Sequence, residues 1–140
     1  MKKVSDNYYV SSQISEEDLD GLKNEGFSLV VCNRPNGEEE SQIDFEIIQK
    51  RCESMGLTFI NLPMIPGNLE SELILETKKI LDKNQKTLAY CRTGTRCISL
   101  WACANVFEAD VDETIENATE AGYDLDHLRP LLISISSTAS

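Results

Sequence analysis

Four short apolar runs alternate along this chain with stretches of helical period, and that alternation limits the fold more than any other feature. The runs are Tyr8 to Ser11, Phe27 to Cys32, Leu57 to Leu62 and Lys86 to Tyr90. Phe27 to Cys32 is apolar almost throughout, the pattern of a strand covered on both faces. The first helix is expected to start at Ser15-Glu-Glu-Asp18, a capping box with Ile14 and Leu19 as its staple, and to end at Gly26. A second follows over about Gln42 to Met55, where Phe45, Ile48, Cys52 and Met55 recur at helical spacing. Asn68 is expected to cap a third, Leu69 to Leu81. Two more cover about Thr95 to Phe107 and Glu113 to Ala121, the last capped by Asp112 and closed by Gly122. Such alternation gives an α/β domain, here with a single four-stranded parallel sheet flanked by helices. Right-handed crossovers bring all strand carboxyl ends to one edge, where ligands bind in open sheets. Three loops converge there: Asn33 to Glu39, Pro63 to Asn68 and Cys91 to Arg96.

The whole chain, residues 1–140, fits one domain, with a short polar tail expected to fray from about 133. A formal net charge of −11 repels nucleic acid and anionic membranes, so neither is an expected partner. An anionic substrate then needs a local basic pocket, for which Arg34, Arg92 and Arg96 are the candidates. Five cysteines, an odd number with no CxxC pair, read as reduced thiols. The single histidine, His127, has no ligand spacing around it, and neither a metal nor a cofactor is expected. Met1-Lys-Lys runs into polar residues, with no apolar leader and no membrane span, so a cytoplasmic location is expected.

The chemistry concentrates in Leu88-Ala-Tyr-Cys-Arg-Thr-Gly-Thr-Arg-Cys97. An apolar strand end delivers Cys91, a loop with one glycine follows, and a helix begins. Gly94 can take positive φ and lets backbone approach a ligand closely. Loop amides and the helix N-terminus form a nest for an anion, and the same donors favour a thiolate. Cys91 is therefore the candidate nucleophile. Arg96 supplies a planar fork for a tetrahedral oxyanion. Arg92, Thr93, Gly94 and Thr95 are the anion-binding loop, and Arg34 reaches toward it from the neighbouring loop or buttresses it. Cys97 is either a small packed residue or a resolving thiol.

Cys91-Arg92-Thr93-Gly94-Thr95-Arg96 resembles the Cys-Arg-x-Gly-x-Arg active loop of the rhodanese-type sulfurtransferases. More of the chain resembles the phosphatase-like domain of the beta-lactamase hydrolase-like proteins. That resemblance rests on Ser12-Gln13-Ile14, Asn33-Arg-Pro-Asn-Gly-Glu-Glu39, Leu62-Pro63, Leu100-Trp101-Ala102 and Ala121-Gly-Tyr-Asp-Leu125. It implies a fold like that of the cysteine-dependent dual-specificity phosphatases.

Two reactions suit such a site. A phosphatase forms a phosphocysteine and needs an acid for the leaving oxygen. A sulfurtransferase takes a sulfane sulfur from thiosulfate or a small persulfide, and passes it from a Cys91 persulfide to a thiol acceptor. Four residues separate Cys91 from Arg96, as in rhodanese, where the phosphatase loop has five. Tyr90 stands where the phosphatase signature has histidine, and Pro63 to Asn68 holds no acid. These features favour sulfur transfer. A tyrosine or dual-specificity phosphatase acting on a small phosphate ester is the alternative, and a non-catalytic anion or phosphopeptide module is the third reading.

Overall fold

The computed structural model describes residues 1–139. One sheet holds β1 (Lys2–Ser5), β2 (Tyr8–Ser11), β3 (Leu29–Cys32), β4 (Thr58–Asn61) and β5 (Thr87–Tyr90) in the order β1-β2-β5-β3-β4. The last four are the expected strands, and they run parallel to one another. The sheet nonetheless has five strands rather than four, because β1 folds back antiparallel on β2. Lys2-Lys3-Val4-Ser5 buries Val4 alone among its side chains, so it carries too little apolar pattern to read as a strand. It forms because a hairpin through Asp6 and Asn7 pairs it with the edge of β2.

The helices are α1 (Glu16–Asn24), α2 (Phe45–Ser54), α3 (Ser71–Asp82), α4 (Thr95–Asn105), α5 (Val111–Glu120) and α6 (Arg129–Ala139). Their starts differ from the sequence reading where two polar residues compete for the cap. Asp110, not Asp112, accepts the Glu113 amide at 3.1 Å, while Asp112 pairs with Arg129. Helix α3 begins after Glu70 rather than at Asn68. Helix α2 starts at Phe45, whose amide donates to Asn36 Oδ1 at 2.8 Å. Gln42 stays in the loop and bridges it, accepting from the Glu38 amide and donating to Pro35 O. Of the tail expected to fray from about 133, residues 133–139 are instead part of α6, which is anchored by the fully buried Leu132, and Ser140 lies outside the described residues.

Alternate strand residues face opposite sides of the sheet. Val30, Cys32, Leu88 and Tyr90 pack in the core that contains Leu19 and Leu22 of α1 and Ile48 and Cys52 of α2. Leu29, Val31, Ala89 and Cys91 pack in the other, with α3, α4, α5 and α6. This alternation turns Cys91 toward α4, the helix whose N-terminus must meet it. Ser11, Tyr90, Cys32 and Asn61 lie in register along the carboxyl edge, so the expected loops leave the sheet side by side. Among the described residues no helix is long and apolar enough to cross a membrane.

Candidate active site

Cys91 follows the last residue of β5 and is 1% exposed. The chain then turns through Gly94, whose φ of 93° is open to glycine and strained for other residues. Helix α4 starts at Thr95, and the free amide of Cys97 in its first turn reaches the sulfur. The Gly94 amide donates to Cys91 Sγ at 3.1 Å.

The Cys91 thiol is lowered from 9.0 to about 5. A hydrogen bond from the Cys97 thiol is the leading cause, burial opposes it, and the amides of Cys97, Thr93 and Gly94 add to the lowering. A thiol is a weak donor, so the three amides, fixed by the backbone, are the more durable part of this cradle. Cys97 is fully buried and moves the other way, pushed well above its ordinary value by burial first and then by Cys91. The pair thus holds one negative charge, on Cys91.

Arg96 is 8% exposed and its guanidinium is held on one side. Nη1 donates to Glu38 Oε2 at 2.7 Å and to Met64 O at 2.9 Å, and Nη2 donates to Glu38 Oε1 at 2.8 Å. Nε and the second Nη2 hydrogen have no hydrogen-bond partner among the described residues, which leaves a two-donor edge for an oxyanion. The Glu38 carboxyl is held below its usual range, chiefly by Arg96 and also by Arg34. Arg34 is 2% exposed, and each of its three nitrogens donates one hydrogen bond: Nε to Glu38, Nη1 to Gln13 Oε1 and Nη2 to Glu39, at 2.8–2.9 Å.

The residues that the sequence singles out do not all share one place. The amides of Thr93 and Gly94 meet Cys91, Arg96 lies close enough to couple to it electrostatically, and Arg92, Thr93, Thr95 and Arg96 line an open cleft to which the buried Cys91 does not itself contribute. That cleft, about 520 Å³, is completed by Glu38, Glu39, Pro66 and Gly67. Arg92 is exposed at its rim and paired with Glu39 at 2.9 Å. Arg34 does not line it; its guanidinium lies behind Glu38 and supports the carboxylate that orients Arg96.

Glu38 as partner of Arg96, and Tyr123, whose hydroxyl donates to Thr93 O at 2.8 Å, are residues that sequence reasoning missed. Each acts across a long separation and leaves no local spacing. The one available signal for Glu38 was an acidic pair ending a loop aimed at a site of arginines.

A family model for the beta-lactamase hydrolase-like protein, phosphatase-like domain, matches residues 1–108. A beta-lactamase hydrolase-like protein of Xylella fastidiosa is 23% identical over 125 residues, covering 87% of this chain and 29% of that protein. The chain therefore spans less than a third of the length of this curated relative. A crystal structure from Neisseria meningitidis, described as that of a candidate phosphatase, is 35% identical with a TM-score of 0.81, covering 96% of both chains. Tk-PTP, in its active form, has a TM-score of 0.75 at 16% identity, covering 98% of this chain and 95% of that one, and shows likeness of fold.

Proposed function

The chain belongs to the family of the beta-lactamase hydrolase-like protein, phosphatase-like domain, and on that premise we propose that it is a cysteine-dependent phosphatase acting on small phosphate esters with good leaving groups. One observation carries the reading: a thiolate in an amide cradle beside an arginine whose free edge is held in place by Glu38. The candidate-phosphatase description of the Neisseria relative supports it.

Cys91 Sγ attacks phosphorus, a P–S bond forms and the ester P–O bond breaks. The loop amides and Arg96 stabilise the charge gathering on the equatorial oxygens. Water then cleaves the phosphocysteine and releases phosphate. Pro63 to Asn68 offers no proton donor, and Glu38, ionised between two arginines, accepts hydrogen bonds rather than donating a proton. The leaving group must therefore be stable as an anion, which favours aryl phosphates over alkyl phosphates.

A second reading, sulfur transfer, is favoured by the four-residue loop and the same missing acid. Here the thiolate takes a sulfane sulfur from thiosulfate, sulfite departs and a thiol acceptor removes the sulfur from Cys91. Sulfite leaves as an anion with no acid needed. One experiment separates the two. Aryl phosphates of graded leaving-group acidity are assayed beside intact-mass analysis after exposure to thiosulfate or glutathione persulfide, with Cys91→Ser as control. The phosphatase reading expects Cys91-dependent hydrolysis that steepens with leaving-group acidity. Absence of hydrolysis together with a removable added sulfur on Cys91 overturns it in favour of sulfur transfer.

A further inference from the structure

Tyr123 lies between α5 and the 3₁₀ turn at Asp126–Leu128, beyond the residues the family model covers. Its ring is partly buried against the larger core, and its hydroxyl donates to Thr93 O at 2.8 Å. The Thr93 carbonyl and the Gly94 amide belong to one trans peptide, so they point in opposite directions. The inner end of that peptide is the Gly94 N–H, 3.1 Å from Cys91 Sγ. A donor on the outer end fixes the plane and polarises the amide, which strengthens the inner bond.

Gly94 is shaped around the same contact. A Cβ at this position would stand 2.2 Å from the Tyr123 hydroxyl oxygen and 3.1 Å from its Cζ. The glycine thus serves two needs: the φ of 93° and the space for the tyrosine. Burial raises the Tyr123 phenol above its ordinary value, with Cys91 and Cys97 adding to the rise, so it remains a donor at neutral pH. Thr93 is exposed, so water can satisfy its carbonyl if the tyrosine is lost. The contact therefore matters less to stability than to the set of the peptide.

We propose that Tyr123 is a positioning residue for Cys91: its hydroxyl locks the Thr93–Gly94 peptide so that the Gly94 amide stays on the thiolate. The proposal rests on Cys91 being the nucleophile and holds for phosphate or sulfur chemistry alike.

The test reads the thiolate directly, without a substrate. Alkylation of Cys91 in the full chain is followed against pH by site-resolved mass spectrometry, with thermal melting as the check on folding. Tyr123→Phe keeps the ring and removes the donor. Its alkylation midpoint should move to higher pH, with about a tenfold smaller thiolate fraction below the midpoint. Where Cys91-dependent turnover is present, kcat should fall by a similar factor with KM little changed. 3-Fluorotyrosine at position 123, a stronger donor, should move the midpoint the opposite way. Gly94→Ala should cripple the site, and adding Tyr123→Phe should restore part of the lost Cys91 reactivity by removing the 2.2 Å clash. An unchanged midpoint in both Tyr123 variants, with native melting, overturns the proposal. A failed phosphatase assay with a shifted midpoint overturns only the choice of reaction.

Discussion

Replacing Cys91 by serine should change how stability depends on pH, and the size of the change follows from the site. The folded thiol is held at about 5 against an ordinary 9.0. Its folded value lies below its unfolded one. The stabilisation is therefore complete above the unfolded value and is lost as pH falls through about 5. Between these limits the unfolded chain binds a proton that the folded chain does not. Stability should then rise by about 1.36 kcal/mol per pH unit from this one group. Glu38, also held low, is ionised in both states over most of this window and remains in both proteins, so it cancels. The assay is urea denaturation of the wild type and Cys91→Ser under reducing conditions, from about pH 5.5 to about pH 7.5. The stability difference should widen in favour of the wild type by about 2.7 kcal/mol over that span. Parallel pH curves would refute the reasoning, because a thiolate stabilised by its loop cannot leave them parallel. Repeating the pair in a Cys97→Ala background should flatten the difference, since the Cys97 thiol leads the lowering.

Arg96→Lys retains a charge but loses the two-donor edge, and steady-state assays should record a fall in turnover of about 10²–10³-fold; equal turnover would mean the fork is irrelevant. Glu38→Gln removes the carboxylate shared by Arg34 and Arg96, and denaturant midpoints should report a loss on the order of 2 kcal/mol, together with raised KM. With hydrogen peroxide, Cys91 should oxidise to the sulfenic acid; attack by the Cys97 thiol would release water and form a disulfide, seen as a linked peptide by mass spectrometry. Cys97→Ser should abolish that link while its hydroxyl, a better donor, preserves phosphate turnover.

The strand, loop and helix around Cys91 were legible because each element writes its own local signal: an apolar run, a glycine, then helical period. The three converging loops followed from the handedness of parallel crossovers, and Arg96 bonding to Met64 O and Glu38 ties them together. What stayed hidden is what depends on distant partners. Glu38 is 58 residues from Arg96 and Tyr123 is 30 from Thr93, and no spacing rule spans such gaps. The hairpin strand β1 was hidden for a related reason, because its pairing rather than its composition makes it a strand. Asp110 and Asp112 flank Val111 and look alike as caps, and only Arg129, brought close by the fold, explains why the second is occupied elsewhere.

The fastening of Arg96 has a consequence for discrimination. A free arginine side chain carries about 2 kcal/mol of rotamer entropy, which a ligand must overcome if it is the first to order that chain. Here Glu38 and Met64 impose the order during folding. An incoming oxyanion meets a template, and little of its interaction is spent on ordering the arginine. The same fixity withholds accommodation. An anion with equal charge but a different angle between its oxygens finds no arm that swings to meet it, so on the proposed reading the site would select oxyanions by shape before charge.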